Sequence, residues 1–196
     1  MPTSTETPTP AVAIVASAGG LAAISRVLAG LPDDLGAAVI VVMHLLPEHR
    51  SMLAQLLGRH TDLHVKTAET GDEIRPGWVY VGPPDVHVLV NGEGQLRLDT
   101  GPPLRHLRPS ADRLLDSLAN DYDGRCLAVI LTGAGSDGAS GALAVKTAGG
   151  RVVVQDPESS EYGGMPAAAI ATGAADSVTS LEKIASVIRE FAANRN

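Results

Sequence analysis

Aromatic residues are scarce in this chain: one Trp, one Phe and three Tyr among 196 residues. The core must therefore be built from Val, Ile, Leu and Ala. A single cysteine, Cys126, excludes an internal disulfide framework and gives no sign of an oxidising compartment. It falls within the apolar stretch "CLAVILT" and reads as a small buried core residue. Basic residues are outnumbered, 15 Lys and Arg against 22 Asp and Glu, for a formal net charge of −7. That balance argues against non-specific nucleic-acid binding, which depends on clustered Lys and Arg. It also supplies no attraction to an anionic membrane surface. No apolar run approaches the roughly 20 residues of a membrane helix, so no membrane insertion is expected. The opening "MPTSTETPTP" lacks a basic region ahead of an apolar one and does not read as a signal peptide. Its Thr and Pro content reads as a disordered lead-in (1–10) before one domain (11–196). The expected compartment is the cytoplasm.

What is present is an alternation of apolar runs and helical patterns. "AVAIVA" (11–16), "AAVIVVMH" (37–44), "CLAVILT" (126–132) and "RVVVQ" (151–155) are short and unbroken, as strands buried on both faces should be. A weaker strand is expected over 64–69 and a short one near 175–178. Helical spacing covers 20–30, 49–59, 110–119, 137–148, about 165–171 and 180–193. The stretch from Gly77 to Pro103 alternates apolar and polar residues around Asn91-Gly92, predicting a hairpin with arms "VHVLV" and "QLRLD". The pattern predicts an α/β fold, doubly wound, with a mainly parallel sheet flanked by helices on both faces and an antiparallel hairpin inserted.

In such sheets ligands bind beyond the carboxyl ends of the strands. Ser17 follows the first strand, His44 ends the second, and Asp137 lies in "LTGAGSDGAS" after the "CLAVILT" strand. A Ser hydroxyl needs a base to take its proton. His supplies that base near neutral pH, and a carboxylate fixes the His tautomer and stabilises the imidazolium. Gly19 and Gly20 allow close packing and substrate approach. The helix N-terminus after them could stabilise an oxyanion. Each residue also has a plainer reading: Ser17 or Asp137 as a helix N-cap, His44 as a hydrogen-bonded structural residue. A dinucleotide or P-loop signature is absent. "HLLPEH" (His44, Glu48, His49) has the wrong order and spacing for a zinc motif, so no metal and no cofactor are expected. His49, His60, His64 and His106 read as surface or loop residues. The order Ser, His, Asp and the absence of G-x-S-x-G exclude the common α/β-hydrolase pattern.

Six stretches, in order, resemble the catalytic domain of the chemotaxis receptor methylesterase family, CheB. They are "ASAGG" (16–20), "MHLLPEHRSMLAQLL" (43–57), "GWVYVGPPDVHV" (77–88), "GPP…RPSAD" (101–112), "VILTGAGSDGA" (129–139) and "GMPAAAI" (164–170). The resemblance implies a serine hydrolase that demethylates glutamate methyl esters on chemoreceptors, and deamidation of certain receptor glutamines. It assigns Ser17 as nucleophile, His44 as general base and acid, and Asp137 as orienting carboxylate. It makes the N–H groups of Ala18 and Ala134 the oxyanion donors and places Gly19, Gly20, Arg108 and Met165 at the substrate. The implied partner is a methylated chemoreceptor. Val15 stands where the family usually has Gly, Ala18 where it often has Thr, Ala134 where Met is common and Met43 where Gln is common. "HLRPS" (106–110) keeps Arg108 but not the rest of the basic "RHRPS". Asp85 and His87, in "P-x-D-x-H", read as structural or rim residues. Many members carry an N-terminal receiver domain that blocks the site until phosphorylated. A stand-alone form is expected here, free of that brake or controlled by a receiver protein in trans. Two other readings stay open: a receptor-binding module without turnover, and a phosphate- or nucleotide-binding domain using the Ser17–Gly20 turn.

Overall fold

The computed structural model describes residues 8–44 and 52–194. Seven strands form the main sheet: β1 (Ala11–Ala16), β2 (Ala38–Met43), β3 (His64–Thr67), β4 (Trp78–Val81), β7 (Cys126–Ile130), β8 (Arg151–Gln155) and β9 (Ser177–Thr179). Their order is β3-β4-β2-β1-β7-β8-β9, and every pairing is parallel. β5 (His87–Val90) and β6 (Leu96–Asp99) pair antiparallel as a separate hairpin. The helices are α1 (Gly20–Leu28), α2 (Leu53–Leu57), α3 (Ala111–Asp121), α4 (Ala139–Thr147), α5 (Gly164–Ala171) and α6 (Leu181–Ala193). The expected doubly wound sheet with a hairpin is therefore the fold observed.

The pleat sorts each central strand between two cores. Ala11, Ala13 and Val15 of β1 face α3, α4 and the hairpin, while Val12, Ile14 and Ala16 face α1 and α6. β1, β2 and β7 are buried at every position, which is why their sequences run apolar without alternation. α1 buries Gly20, Ala23, Ile24, Val27 and Leu28, one stripe at helical spacing. Cys126 is buried in the core, as expected.

Two expectations are corrected. Residues 78–81 are not part of the hairpin's alternation. They form β4, a buried strand lying parallel between β3 and β2. The Trp and Tyr in "WVYV" gave it an amphipathic look, but Val79, Tyr80 and Val81 are all buried. The helix expected over 49–59 is observed only as Leu53–Leu57. Residues 45–51, with Glu48 and His49, lie outside the described residues.

Candidate active site

Three adjacent strands, β2, β1 and β7, carry the candidate residues to one edge of the sheet. Ala16 of β1 is in register with Met43 of β2, so Ser17 and His44 leave the sheet as neighbours. The His44 N–H donates to the Ala16 carbonyl at 3.3 Å. On the other flank, the Ser17 N–H donates to the Thr132 carbonyl at 3.0 Å, just past β7. The chain runs outward from β1 in opposite directions on its two sides, which makes this crevice the topological switch point.

Neither Ser17 nor Asp137 caps the helix it precedes. The N-cap of α1 is Gly19, with φ 74° and no side-chain cap bond. The positive φ favours glycine here, and a Cβ on Gly19 would displace the Glu161 carboxylate, whose Oε2 lies 2.8 Å away. The N-cap of α4 is Gly138, with φ 92°. Asp137 instead turns to α3. Its Oδ1 accepts from Ser110 Oγ at 2.9 Å and the Asp112 N–H at 3.1 Å. Its Oδ2 accepts from the Ala111 N–H at 2.6 Å and from His44 Nε2 at 2.8 Å.

Burial is the largest single influence on the Asp137 carboxyl and pushes its pKa up. The hydrogen bonds from His44, Ala111, Asp112 and Ser110 outweigh it together, holding the group below its ordinary value. Asp137 is thus an ionised, buried acceptor, and His44 Nε2 carries the proton shared with it. That leaves His44 Nδ1 as the basic nitrogen of the neutral ring.

The other glycine-rich turn packs directly on the serine. A Cβ on Gly133 would lie 2.9 Å from Ser17 Cβ and 2.2 Å from Met165 Sδ. The Gly133 N–H donates to the Tyr162 carbonyl, and the Met165 N–H to the Gly133 carbonyl, at 2.9 and 2.8 Å. Thr132 ties this turn to the first one: its hydroxyl lies 3.1 Å from the Ala18 carbonyl and accepts from the Tyr162 N–H at 2.9 Å. Buried Gln155 accepts the Thr132 N–H at 2.9 Å. Sequence reasoning missed Thr132 and Gln155, since each reads as an ordinary strand-end polar residue until the three loops meet. Among the described residues, the N–H groups of Ala18 and Ala134 donate to no protein acceptor. Gly20 packs α1 against the sheet, where a Cβ would meet Ala16 Cβ at 2.8 Å and Met43 Sδ at 3.0 Å.

Two of the expected substrate residues are occupied otherwise. Met165 has no exposed surface. It fills the space under Gly133 and belongs to the core, so it shapes the turn rather than meeting a ligand. Arg108 is a clamp: Nε and Nη2 donate to Asp85 Oδ1 at 2.9 and 2.7 Å, and Nη1 to the carbonyls of Thr100 and Gly101, both at 3.0 Å. Most of its donors are therefore spent within the protein. His87 is fully buried and structural, as expected. Its Nδ1 accepts the Ser110 N–H at 3.2 Å, and its Nε2 faces the Pro102 carbonyl at 3.2 Å. Val15, buried at 0 % exposure, lies beneath the Asp137–Gly138 turn, its Cγ2 3.5 Å from where a Gly138 Cβ would stand. The His44–Asp137 bond is formed with that bulk in place. His60, His64 and His106 are exposed, as expected.

A groove of about 980 Å³ starts at Ser17 and runs along the outer face of α1, lined by Gly19, Leu21, Arg26, Glu161 and Leu181 among others. Leu21 is 39 % exposed there, a large apolar side chain beside a polar turn. Among the described residues no helix is long and apolar enough to cross a membrane.

Residues 12–188 match the family model described as CheB methylesterase. The chain is 41 % identical over 184 residues to the protein-glutamate methylesterase FrzG of Myxococcus xanthus, covering 94 % of this chain and 55 % of that protein. It is 42 % identical over 180 residues to a protein-glutamate methylesterase/protein-glutamine glutaminase of Anaeromyxobacter dehalogenans, covering 92 % of this chain and 52 % of the relative. The chain thus spans about half the length of these curated relatives. The crystal structure of the Thermotoga maritima CheB methylesterase catalytic domain superposes with a TM-score of 0.88 at 37 % identity, covering 92 % of this chain and 97 % of that one.

Proposed function

The chain belongs to the CheB methylesterase family, and from that premise we propose that it is a serine hydrolase acting on glutamate methyl esters of chemoreceptors. The observation that carries this reading is the His44–Asp137 hydrogen bond, 2.8 Å long, at the strand end next to Ser17. Ser17 Oγ attacks the ester carbonyl while His44 Nδ1 takes its proton, and Asp137 stabilises the imidazolium that forms. The N–H groups of Ala18 and Ala134 are the donors for the tetrahedral oxyanion. They come from backbone alone, so the missing hydroxyl at Ala18 leaves them in place. His44 then gives its proton to the departing methoxy group, which leaves as methanol, and water attacks the acyl-enzyme in a second cycle that frees Ser17 and the glutamate carboxylate. The same sequence on a receptor glutamine expels ammonia. The groove from Ser17 along α1 receives the receptor segment that carries the ester. No step needs a cofactor or a metal.

The reading places the reaction in the cytoplasm, on a receptor partner. Its control is open to direct test: a large rate rise on adding a phosphorylated receiver protein would establish regulation in trans, and an unchanged rate an unregulated domain. The deciding experiment for the chemistry is methanol release from a methylated receptor, comparing the native chain with Ser17→Ala. Loss of more than roughly 10⁴-fold in kcat is expected. Equal release from both would remove Ser17 from the mechanism, and no release from either, with folded protein, would point to a binding module.

A further inference from the structure

α3 and α4 cap each other. Asp137, the residue before the α4 N-cap, accepts the N–H groups of Ala111 and Asp112 in the first turn of α3. Asp112 in turn accepts the N–H groups of Gly138, the α4 N-cap, and of Gly141 in the first turn of α4, on Oδ1 at 2.9 and 2.8 Å. Neither helix carries a side-chain cap from its own N-cap residue. Each N-terminus therefore depends on an acid delivered by the other, and the N–H groups of Ala111 and Asp112 at the α3 end favour the ionised Asp137 carboxylate. Ser110, the α3 N-cap residue, adds its hydroxyl to Asp137 Oδ1 at 2.9 Å, and its own N–H is held by buried His87. Asp112 is 1 % exposed and Ser110 fully buried, so these bonds are shielded from water.

We propose that Ser110 and Asp112 are positioning residues for the reaction: through this exchange of caps they fix Asp137 so that Oδ2 presents to His44 Nε2. The proposal rests on the hydrolase reading above only for its kinetic consequence. The geometry has a simple logic. Asp137 follows a loop with φ-positive Gly135 and precedes φ-positive Gly138, so its own backbone constrains it weakly. Asp112 pins the chain on the α4 side by holding Gly138 and Gly141. α3 pins the carboxylate itself. Ser110 occupies the Oδ1 lone pair that would otherwise let the carboxylate rotate away from the imidazole. The charged and titratable groups around Asp137 are His44, Asp112 and, further along α3, Asp116, with Arg105 Nη1 3.7 Å from Asp112 Oδ2.

The test uses three variants, Ser110→Ala, Asp112→Ala and Asp112→Asn, and two readouts: methanol-release kinetics, and the proton NMR resonance of the His44 Nε2–H. Asp112→Asn keeps an oxygen able to accept from Gly138 and Gly141, whereas Asp112→Ala does not. Asp112→Ala should lower kcat by roughly 100-fold, the scale of a misplacement of about 1 Å. It should also shift or broaden the His44 resonance, and Asp112→Asn should restore both to within about threefold. Ser110→Ala should keep the fold, lower kcat with little change in KM and shift or broaden the His44 resonance, because Asp137 Oδ1 loses its hydroxyl partner and the carboxylate is held less firmly. A merely structural role would leave the resonance in place and would not separate kcat from KM. If Asp112→Ala does not fold, Ser110→Ala and Asp112→Asn decide the matter. An unchanged kcat and an unmoved His44 resonance in Ser110→Ala would overturn the proposal. If the native chain releases no methanol while the resonance responds as expected, the hydrolase reading fails and the positioning role stands.

Discussion

Gly133 shows how little room the site allows at the scale of one residue. A methyl group there would press on Ser17 Cβ at 2.9 Å from one side and on Met165 Sδ at 2.2 Å from the other. The methionine end can swing, but Ser17 is held to the sheet through its N–H bond to Thr132. Gly133→Ala should therefore push Ser17 off its line. A loss of roughly 100-fold in kcat is expected, with a much smaller change in KM, read from methanol-release kinetics. An unchanged kcat would mean that the turn yields and Ser17 does not. Asp137 is the other residue on which the site turns, and its replacement by Asn would put an N–H₂ group either at Oδ2, where the Ala111 N–H and His44 now point, or at Oδ1, where the Ser110 hydroxyl and the Asp112 N–H point. Removing an acceptor from buried donors costs about 1–3 kcal/mol each.

The α3–α4 crossing is where the site meets the scaffold at the scale of elements. Gly141 lies in that contact: a Cβ would sit 2.6 Å from Leu115 Cβ and 3.1 Å from the Asp112 Cα. The obstacle includes backbone, so the helices themselves must separate. Gly141→Ala should cost about 1–3 kcal/mol, against a gain of up to about 1 kcal/mol from better helix propensity. Urea unfolding with an unchanged m-value would check the net loss. Because Gly141 also donates to Asp112, the same variant should weaken the cap on α4. A neutral result would show that the two helices are packed less closely than the structure has them.

Acid stability is a property of the whole molecule. The folded-state pKa of Asp137 is below its ordinary value, so its contribution to stability is fully present above that value, about 3.9. It is lost as pH falls through the lowered folded value. Asp116 works in the other direction: burial first, and then neighbouring Asp112 and Asp137, raise its pKa, which favours the protonated folded state. The clean measurement is a difference. The stability gap between the native chain and Asp137→Asn should be widest near neutrality and narrow as pH falls below about 4. A gap that stays constant would mean that Asp137 is not held ionised by the fold.

By itself the sequence determined the parallel sheet, the hairpin and the strand ends that carry Ser17, His44 and Asp137. Each rests on local patterns: unbroken β-branched runs, helical periodicity, an Asn-Gly turn and glycines at loop positions. It left β4 unassigned within the alternating stretch that contains the hairpin, because aromatic and apolar residues in "WVYV" read the same in an edge ribbon and in a buried parallel strand. Only the tertiary structure decided what each polar side chain faces. Ser17 and Asp137 both looked like caps for the helices they precede. Capping of α1 falls to Gly19, and Asp137 serves α3, a helix that starts 26 residues earlier. Arg108 and Met165 looked like substrate contacts, yet one is spent on Asp85 and two carbonyls and the other lies in the core. Ser110 and Asp112 stood in a quoted motif with no sign of their partner. A hydrogen bond depends on distance and direction across the fold, and one-dimensional spacing carries neither once the partners sit on different elements.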